Sequence, residues 1–185
     1  MFTNSHHVRS TAATVWFTGL PSAGKTTLAT ALVARLDERG RRAQLLDGDQ
    51  IRARLSPNLG YSHAERVHNI VRIGYLAELL ASNGVFALAA VVSPYAHARD
   101  QVRAAHAAIG VPFLEIHVAT PIEICQARDV KGLYARAKKG EITGLTGVDD
   151  PYESPEHPEL VLTTDHSIDA SCLELEKLLI ARELL

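Results

Sequence analysis

TVWFTGLPSAGKTTLATALVARL, residues 14–36, runs from a short apolar segment through a turn with two glycines and a lysine into a helical pattern. Its centre, Gly19-Leu20-Pro21-Ser22-Ala23-Gly24-Lys25-Thr26, fits GxxxxGK[ST] at every fixed position. Chance alone gives such a match in roughly one per cent of chains this long, judged from average residue frequencies. The flanks strengthen it, because phosphate binding needs a strand before the turn and a helix after it. Gly19 and Gly24 let the backbone fold its N–H groups inward around phosphate oxygens, and the helix aims its positive end at them. Lys25 is then expected to bridge the β- and γ-phosphates, and the Thr26 hydroxyl to hold Mg²⁺. A glycine-rich turn with an accidental lysine explains neither flank. The stretch predicts a nucleoside triphosphate site.

Working outward, apolar runs alternate with amphipathic ones along the whole chain. Candidate strands are TVWFT (14–18), AQLLD (43–47), VFALAAVV (85–92), FLEIHVA (113–119) and LVLTT (160–164). They are almost continuously apolar, as strands covered on both faces are. Helical patterns fall at 25–39, 49–55, 64–82, 96–108, 121–128 and 169–184. Strand and helix in alternation predict an α/β fold, a three-layer sandwich around a mostly parallel five-stranded sheet. Ligands of such sheets bind beyond the carboxyl ends of the strands. No repeat or low-complexity linker divides the 185 residues, so one domain is expected, with residues 1–13 as a flexible N-terminus.

Composition narrows the function classes. Hydrophobic residues make up 46% and charged residues 22%, with a formal net charge of −2. No general basic field draws in nucleic acid or an anionic membrane. VFALAAVV is far too short to cross a bilayer, and the N-terminus lacks an apolar signal-like core. Cys125 and Cys172 are far apart and suit two reduced, buried or inert thiols, although two cysteines can also pair. These features point to the cytoplasm.

Strand two ends in LLDGDQIR (45–52). Asp47, at a strand's carboxyl end beside the phosphate cradle, suits a magnesium-bound water. Asp49 and Arg52 follow on neighbouring faces of one helical turn. A carboxylate beside an arginine suits a hydroxyl to be oriented near an anion to be held, although an N-cap and a solvated arginine fit the same pattern.

Four further motifs follow the cradle in order: LLDGDQIRARL (45–55), LGYSHAERVHNIVRIG (59–74), VVSPYAHARDQVR (91–103) and ARDVKGLYARAKKGEITGLTGVDDPYESPEHPELVL (127–162). With the cradle, they resemble the adenylyl-sulfate kinase family over about residues 14 to 165. The resemblance implies a monofunctional enzyme with the P-loop nucleoside triphosphate hydrolase fold. Its implied substrates are ATP with Mg²⁺ and adenosine 5′-phosphosulfate, and it implies a homodimer. It implies that residues Gly19 to Thr27, including Pro21, Ser22, Ala23 and Lys25, hold ATP, with Thr26 and Asp47 at the metal. It implies that Asp49 accepts or orients the 3′-hydroxyl proton and that Arg52 contacts the sulfonucleotide. Tyr61 would form an aromatic wall, while Arg66 and Asn69 grip the phosphosulfate and ribose. Val92 and Ser93 would touch substrate through backbone and hydroxyl. Lys131 with the Gly144-Leu145 pair would close over its adenine.

The family description also makes Ser93 a phosphoserine intermediate. No base stands beside it in the sequence, and phosphoryl transfer needs positioning more than covalent chemistry. Direct in-line transfer is therefore expected, with Ser93 as a substrate contact or a minor phosphosite. Two positions depart from the family pattern. Ala96 stands where the family has an arginine, so that one anion contact is either lost or supplied by Arg99, and Leu145 replaces an aromatic, so that Leu145→Phe is expected to tighten substrate binding.

DVKGLYARAKKGEITGLTG (129–147) reads in this setting as part of a hinged lid over 129–150 rather than a nucleic-acid patch. Arg128, just before it, fits either a cation that neutralises the transferring phosphate or a solvated helix end. TTDHS (163–167) is expected near the ATP adenine. The nine histidines include no HExxH, and none is assigned to a metal. Three competing readings remain: another small-molecule P-loop kinase, a catalytically weak sulfonucleotide-binding regulator, and a GTPase, the last lacking an NKxD motif.

Overall fold

The computed structural model describes residues 12–163 and 167–185. Val15 and Phe17 enter one apolar cluster, while Trp16 between them enters a second. Phe86, Leu88 and Ala90 alternate with Ala87 and Ala89 in the same way. Successive strand residues point to opposite faces, so a strand feeding two cores has no polar position to spare. This explains the nearly continuous apolar runs.

Five parallel strands form the sheet: β1 (Thr14–Thr18), β2 (Ala43–Asp47), β3 (Phe86–Ala90), β4 (Phe113–Val118) and β5 (Leu160–Leu162), in the order β2-β3-β1-β4-β5. The helices are α1 (Lys25–Glu38), α2 (Gly48–Leu55), α3 (His63–Ser82), α4 (Ala96–Ala108), α5 (Ile122–Arg128), α6 (Leu133–Lys138) and α7 (Ile168–Ala181). Residues of α1 and α7 pack into the cluster with Val15 and Phe17, and residues of α3 and α4 into the cluster with Trp16. At the second interface α3 approaches α4 closely, since a Cβ on Gly74 would stand 2.6 Å from a Val102 methyl. Central β1 has β3 on one side and β4 on the other, which opens a crevice beyond its carboxyl end. The predicted three-layer α/β architecture is the one observed.

Several boundaries shift for local reasons. β3 stops at Ala90 rather than Val92, because the chain turns at Ser93 (φ 40°) and Pro94 has no N–H for a ladder. In β2 only Leu46 is buried, as suits an edge strand. β5 covers three residues, and Thr164 of its predicted span lies outside the described ones. α6 was not expected inside segment 129–150. It forms because the Asp129 carboxylate accepts hydrogen bonds from the N–H groups of Tyr134 (3.0 Å) and Ala135 (2.9 Å). The flexible N-terminus is corrected at its end: Ala12 and Ala13 are fully buried, whereas residues 1–11 lie outside the described ones. Cys125 and Cys172 are both buried and free. Among the described residues no helix is long and apolar enough to cross a membrane.

Candidate active site

The turn after β1 is packed from beneath. A Cβ on Gly19 (φ 152°) would stand 2.6 Å from the Val118 carbonyl, so only glycine lets β1 hand over to the loop at this distance from β4. The Ala23 carbonyl accepts from the Thr120 hydroxyl (2.7 Å) and from Arg128 (3.3 Å). Lys25 is buried and donates to the carbonyls of Gly19 (2.9 Å) and Leu20 (2.8 Å). That burial pushes its ammonium down to about 7. A cation turned onto its own loop's carbonyls is positioned to meet phosphate oxygens instead.

Thr26 donates its hydroxyl to Asp47 Oδ2 at 2.8 Å. Asp47 Oδ1 accepts from the N–H groups of Asp49 and Gln50, both at 3.1 Å, and so caps α2. These donors fit Mg²⁺, a hard cation that takes oxygen ligands and keeps most of its shell as water and substrate phosphate. Among the described residues no group of three His, Cys, Asp or Glu collects into a cage, so a metal here would share its coordination with the nucleotide.

One cavity of about 1340 Å³ brings together every predicted site residue except Gly19 and Leu20. Gly19 lies beneath the loop, and Leu20 packs on the core. Asp49 is ion-paired with Lys131. The Arg52 guanidinium lies over the Tyr61 ring at 4.2 Å and donates to the Gly60 carbonyl. Arg66 donates to the Tyr61 carbonyl (2.7 Å), the Thr146 hydroxyl (2.8 Å) and the Gly144 carbonyl. Asn69 is 5% exposed, and its Oδ1 has no hydrogen-bond partner. A buried acceptor left unpaired in a cavity wall calls for a ligand donor.

The loop that carries Tyr61 is set by the start of α3. Ser62 caps that helix, and the Glu65 carboxylate returns to the N–H groups of Ser62 and Gly60. The Ser62 hydroxyl, followed by those two N–H groups, holds the Glu65 carboxyl below the usual range.

Three expectations change. Ser93 is 1% exposed, and its hydroxyl accepts from the Trp16 indole at 3.0 Å and donates to the Val91 carbonyl at 3.4 Å. That hydroxyl is committed to the core rather than offered to substrate. Arg99 does not replace the arginine missing at Ala96, because it is 2% exposed and bound to Glu115 at 2.7 Å. The Ala96 N–H instead meets the Glu153 carboxylate at 2.6 Å. Leu145 lines the cavity but is also buried and packed in the core, which leaves little of its side chain for the adenine. Of TTDHS, Thr163 lines the same cavity, while residues 164–166 lie outside the described ones.

Other contributors stand in the quoted motifs, but sequence reasoning gave them no role. Tyr134 donates its hydroxyl to the Pro21 carbonyl at 3.1 Å and ties α6 to the phosphate loop. The Asp149 carboxylate accepts from the N–H groups of Gly144 and Leu145, both at 2.6 Å. Those two hydrogen bonds, Gly144's first, hold the Asp149 carboxyl below the usual carboxylate range.

The model of the adenylylsulphate kinase family matches residues 11–163. The chain belongs to that family. As a member it is an ATP-dependent kinase. An adenylyl-sulfate kinase from Synechococcus sp. (strain JA-3-3Ab) is 47% identical over 162 residues, covering 88% of this chain and 90% of the relative. One from Picosynechococcus sp. (strain ATCC 27264 / PCC 7002 / PR-6) is 51% identical over 152 residues, covering 82% and 84%. Among solved structures, the Mycobacterium tuberculosis APS kinase in complex with AMPPNP and APS aligns with a TM-score of 0.89 at 44% identity. That alignment covers 91% of this kinase and 98% of the other chain.

Proposed function

We propose that the chain transfers the γ-phosphoryl group of ATP to the 3′-hydroxyl of adenosine 5′-phosphosulfate, giving ADP and 3′-phosphoadenosine 5′-phosphosulfate in sulfate activation. One observation carries the reading. A phosphate-holding set (Lys25, Thr26, Asp47) and an acceptor set (Asp49, Arg52, Arg66, Asn69) share a single cavity. The family resemblance and the relative solved with AMPPNP and APS support the same pair of ligands.

The 3′-oxygen attacks the γ-phosphorus in line, and the bond to the β,γ-bridging oxygen breaks, its electron pair leaving with ADP. Asp49 orients the hydroxyl and takes its proton, which requires the Lys131 ammonium to leave the carboxylate. Lys131 then turns to the sulfonucleotide. Lys25 spans the β- and γ-phosphates, while Arg128, beside the phosphate loop, neutralises charge on the group in transit. Thr26 and Asp47 would hold Mg²⁺, which would supply further charge neutralisation on those phosphates. Arg52 and Tyr61 form one wall for the substrate, Arg66 grips its anionic part, and the unpaired Asn69 Oδ1 accepts from a ribose hydroxyl. Val92 and Ser93 shape the wall through their backbone. Gly144 and Leu145 fit a backbone contact to the adenine. No covalent intermediate on Ser93 is needed, and its hydroxyl is engaged elsewhere.

Segment 129–150 acts as the lid, with Leu145, Thr146 and Asp150 as its anchored end. A cytoplasmic homodimer is the setting we favour, from the family resemblance and from the two unpaired cysteines. A substrate panel tests the reading: ADP release with adenosine 5′-phosphosulfate, and none with nucleosides, shikimate or gluconate. Turnover of one of the latter alone would assign the cavity to another small-molecule kinase.

A further inference from the structure

Arg66 donates to three acceptors, and behind them stands the Asp150 carboxylate, reached through Thr146 and also directly at longer range. Its guanidinium donates to the Thr146 hydroxyl at 2.8 Å, and that hydroxyl donates to Asp150 Oδ2 at 3.4 Å. Asp150 Oδ2 also lies 3.8 Å from the Arg66 guanidinium itself. Both Asp150 oxygens accept from the Tyr95 hydroxyl at 3.1 Å. Every proton in this chain has one direction. Arginine only donates, a carboxylate only accepts, and the threonine hydroxyl relays between them.

The far end of the chain is anchored in the core. Tyr95 is 1% exposed and belongs to the apolar cluster between the sheet and α3/α4. Thr146 is 1% exposed, and residues 146 and 150 are bridged through their backbones. A long guanidinium side chain on α3 is thus tied to a carboxylate whose own position is set by the core. Free in solution, an arginine side chain samples many rotamers. Most of that freedom is gone before substrate arrives.

We propose that Asp150 is a positioning residue for acceptor recognition: through Thr146 and with Tyr95 behind it, it presets the Arg66 guanidinium that grips the sulfonucleotide. The proposal rests on the role given to Arg66 above. It assigns work to the second aspartate of GVDDPYE, whose neighbour Asp149 sets the backbone of residues 144 and 145. Because Asp150 touches no reacting atom, its loss weakens acceptor capture while leaving ATP binding alone.

Asp150→Asn, Arg66→Ala and the double variant test this, with KM for each substrate, kcat and melting temperature measured on the full chain. Asp150→Asn is expected to raise KM for adenosine 5′-phosphosulfate about three- to tenfold, the size of a close charge coupling, with KM for ATP unchanged. In the Arg66→Ala background the same change is expected to add nothing. Unchanged KM for the acceptor in Asp150→Asn, an equal rise in KM for ATP, or effects that multiply in the double variant would overturn the proposal. If Arg66→Ala itself leaves that KM unchanged, the grip assigned to Arg66 falls and the proposal with it. A rise in Arg66→Ala without one in Asp150→Asn overturns the positioning role alone. Should Asp150→Asn not fold, Tyr95→Phe removes the anchor and keeps the carboxylate. It is expected to raise the acceptor KM roughly twofold, a smaller effect because one neutral donor is lost, and no rise would overturn the proposal.

Discussion

Lys131, in the segment between α5 and α6, is ion-paired with Asp49, the second residue of α2. The pair joins the proposed base to the proposed lid in the protein without substrate. Both side chains are mostly exposed, at 56% and 70%, and exposed pairs contribute between zero and about 1 kcal/mol. Lys131→Ala is therefore expected to leave the melting temperature almost unchanged. Its kcat/KM for adenosine 5′-phosphosulfate is expected to fall by roughly tenfold, the loss of one charge-assisted contact. A melting scan with steady-state kinetics checks both. A large loss of stability with normal kinetics would make the pair a structural clamp.

Asp47 does two jobs, and substitution separates them. Asparagine caps helices as well as aspartate does, so Asp47→Asn should keep α2 and its thermal stability. It removes the negative charge that meets Thr26. Activity is expected to fall about 10–100-fold, as when a metal's supporting shell is altered, with a higher Mg²⁺ requirement. Asp47→Ala should also cost about 1 kcal/mol of stability from the lost cap. Mg²⁺ titrations and melting curves on both variants separate the two effects.

The phosphate loop and the strands beside it were legible because chemistry and burial leave few alternatives at those positions. GxxxxGKT needs glycine where Gly19 nearly touches the Val118 carbonyl, and double-faced burial writes itself into β1 and β3 as unbroken apolar runs. Ser93 was not legible, since the partner of its hydroxyl, Trp16, lies 77 positions away and only the folded sheet joins them. Asp149 and Asp150 stand in a motif, but a carboxylate that accepts from backbone N–H groups has no periodicity to betray it. Arg99 looked available because helical spacing alone does not reveal that Glu115, on β4, closes over it.

Leu145, expected to close over the adenine, is 8% exposed and packed within the core. Leu145→Ala should destabilise by about 2 kcal/mol, the lower end for deleting a buried leucine. In a chain this size that lowers the melting temperature by roughly 4–8 °C. Leu145→Phe is expected to cost stability through overpacking rather than tighten binding. Calorimetry on both variants and acceptor titration of Leu145→Phe provide the check.

His106 is fully buried, accepts from the Thr14 hydroxyl at Nε2 and donates from Nδ1 to the Val102 carbonyl, each at 2.8 Å. Burial lowers its pKa below the ordinary 6.5, and burial followed by the Arg99 charge does the same to His117. Between the lowered values and 6.5 the unfolded chain binds more protons than the folded one, so stability rises with pH in that window. The melting temperature should decline as pH falls below 6.5 and level off once both histidines are charged in the fold. His106→Gln should flatten part of that slope. An unchanged slope would remove His106 from the acid response.

In the proposed reaction one cavity brings the γ-phosphate of ATP to the 3′-hydroxyl of adenosine 5′-phosphosulfate, with Lys25 holding the donor and Asp49 the acceptor. A coupled assay of ADP release on the Mg²⁺-loaded protein, run with Lys25→Ala and Asp49→Asn, tests it most directly. The account predicts ADP formation that requires adenosine 5′-phosphosulfate and falls by about a hundredfold or more in each variant, as loss of a charge-stabilising or proton-transfer group does. A folded wild-type protein that binds adenosine 5′-phosphosulfate tightly and releases no ADP would contradict it.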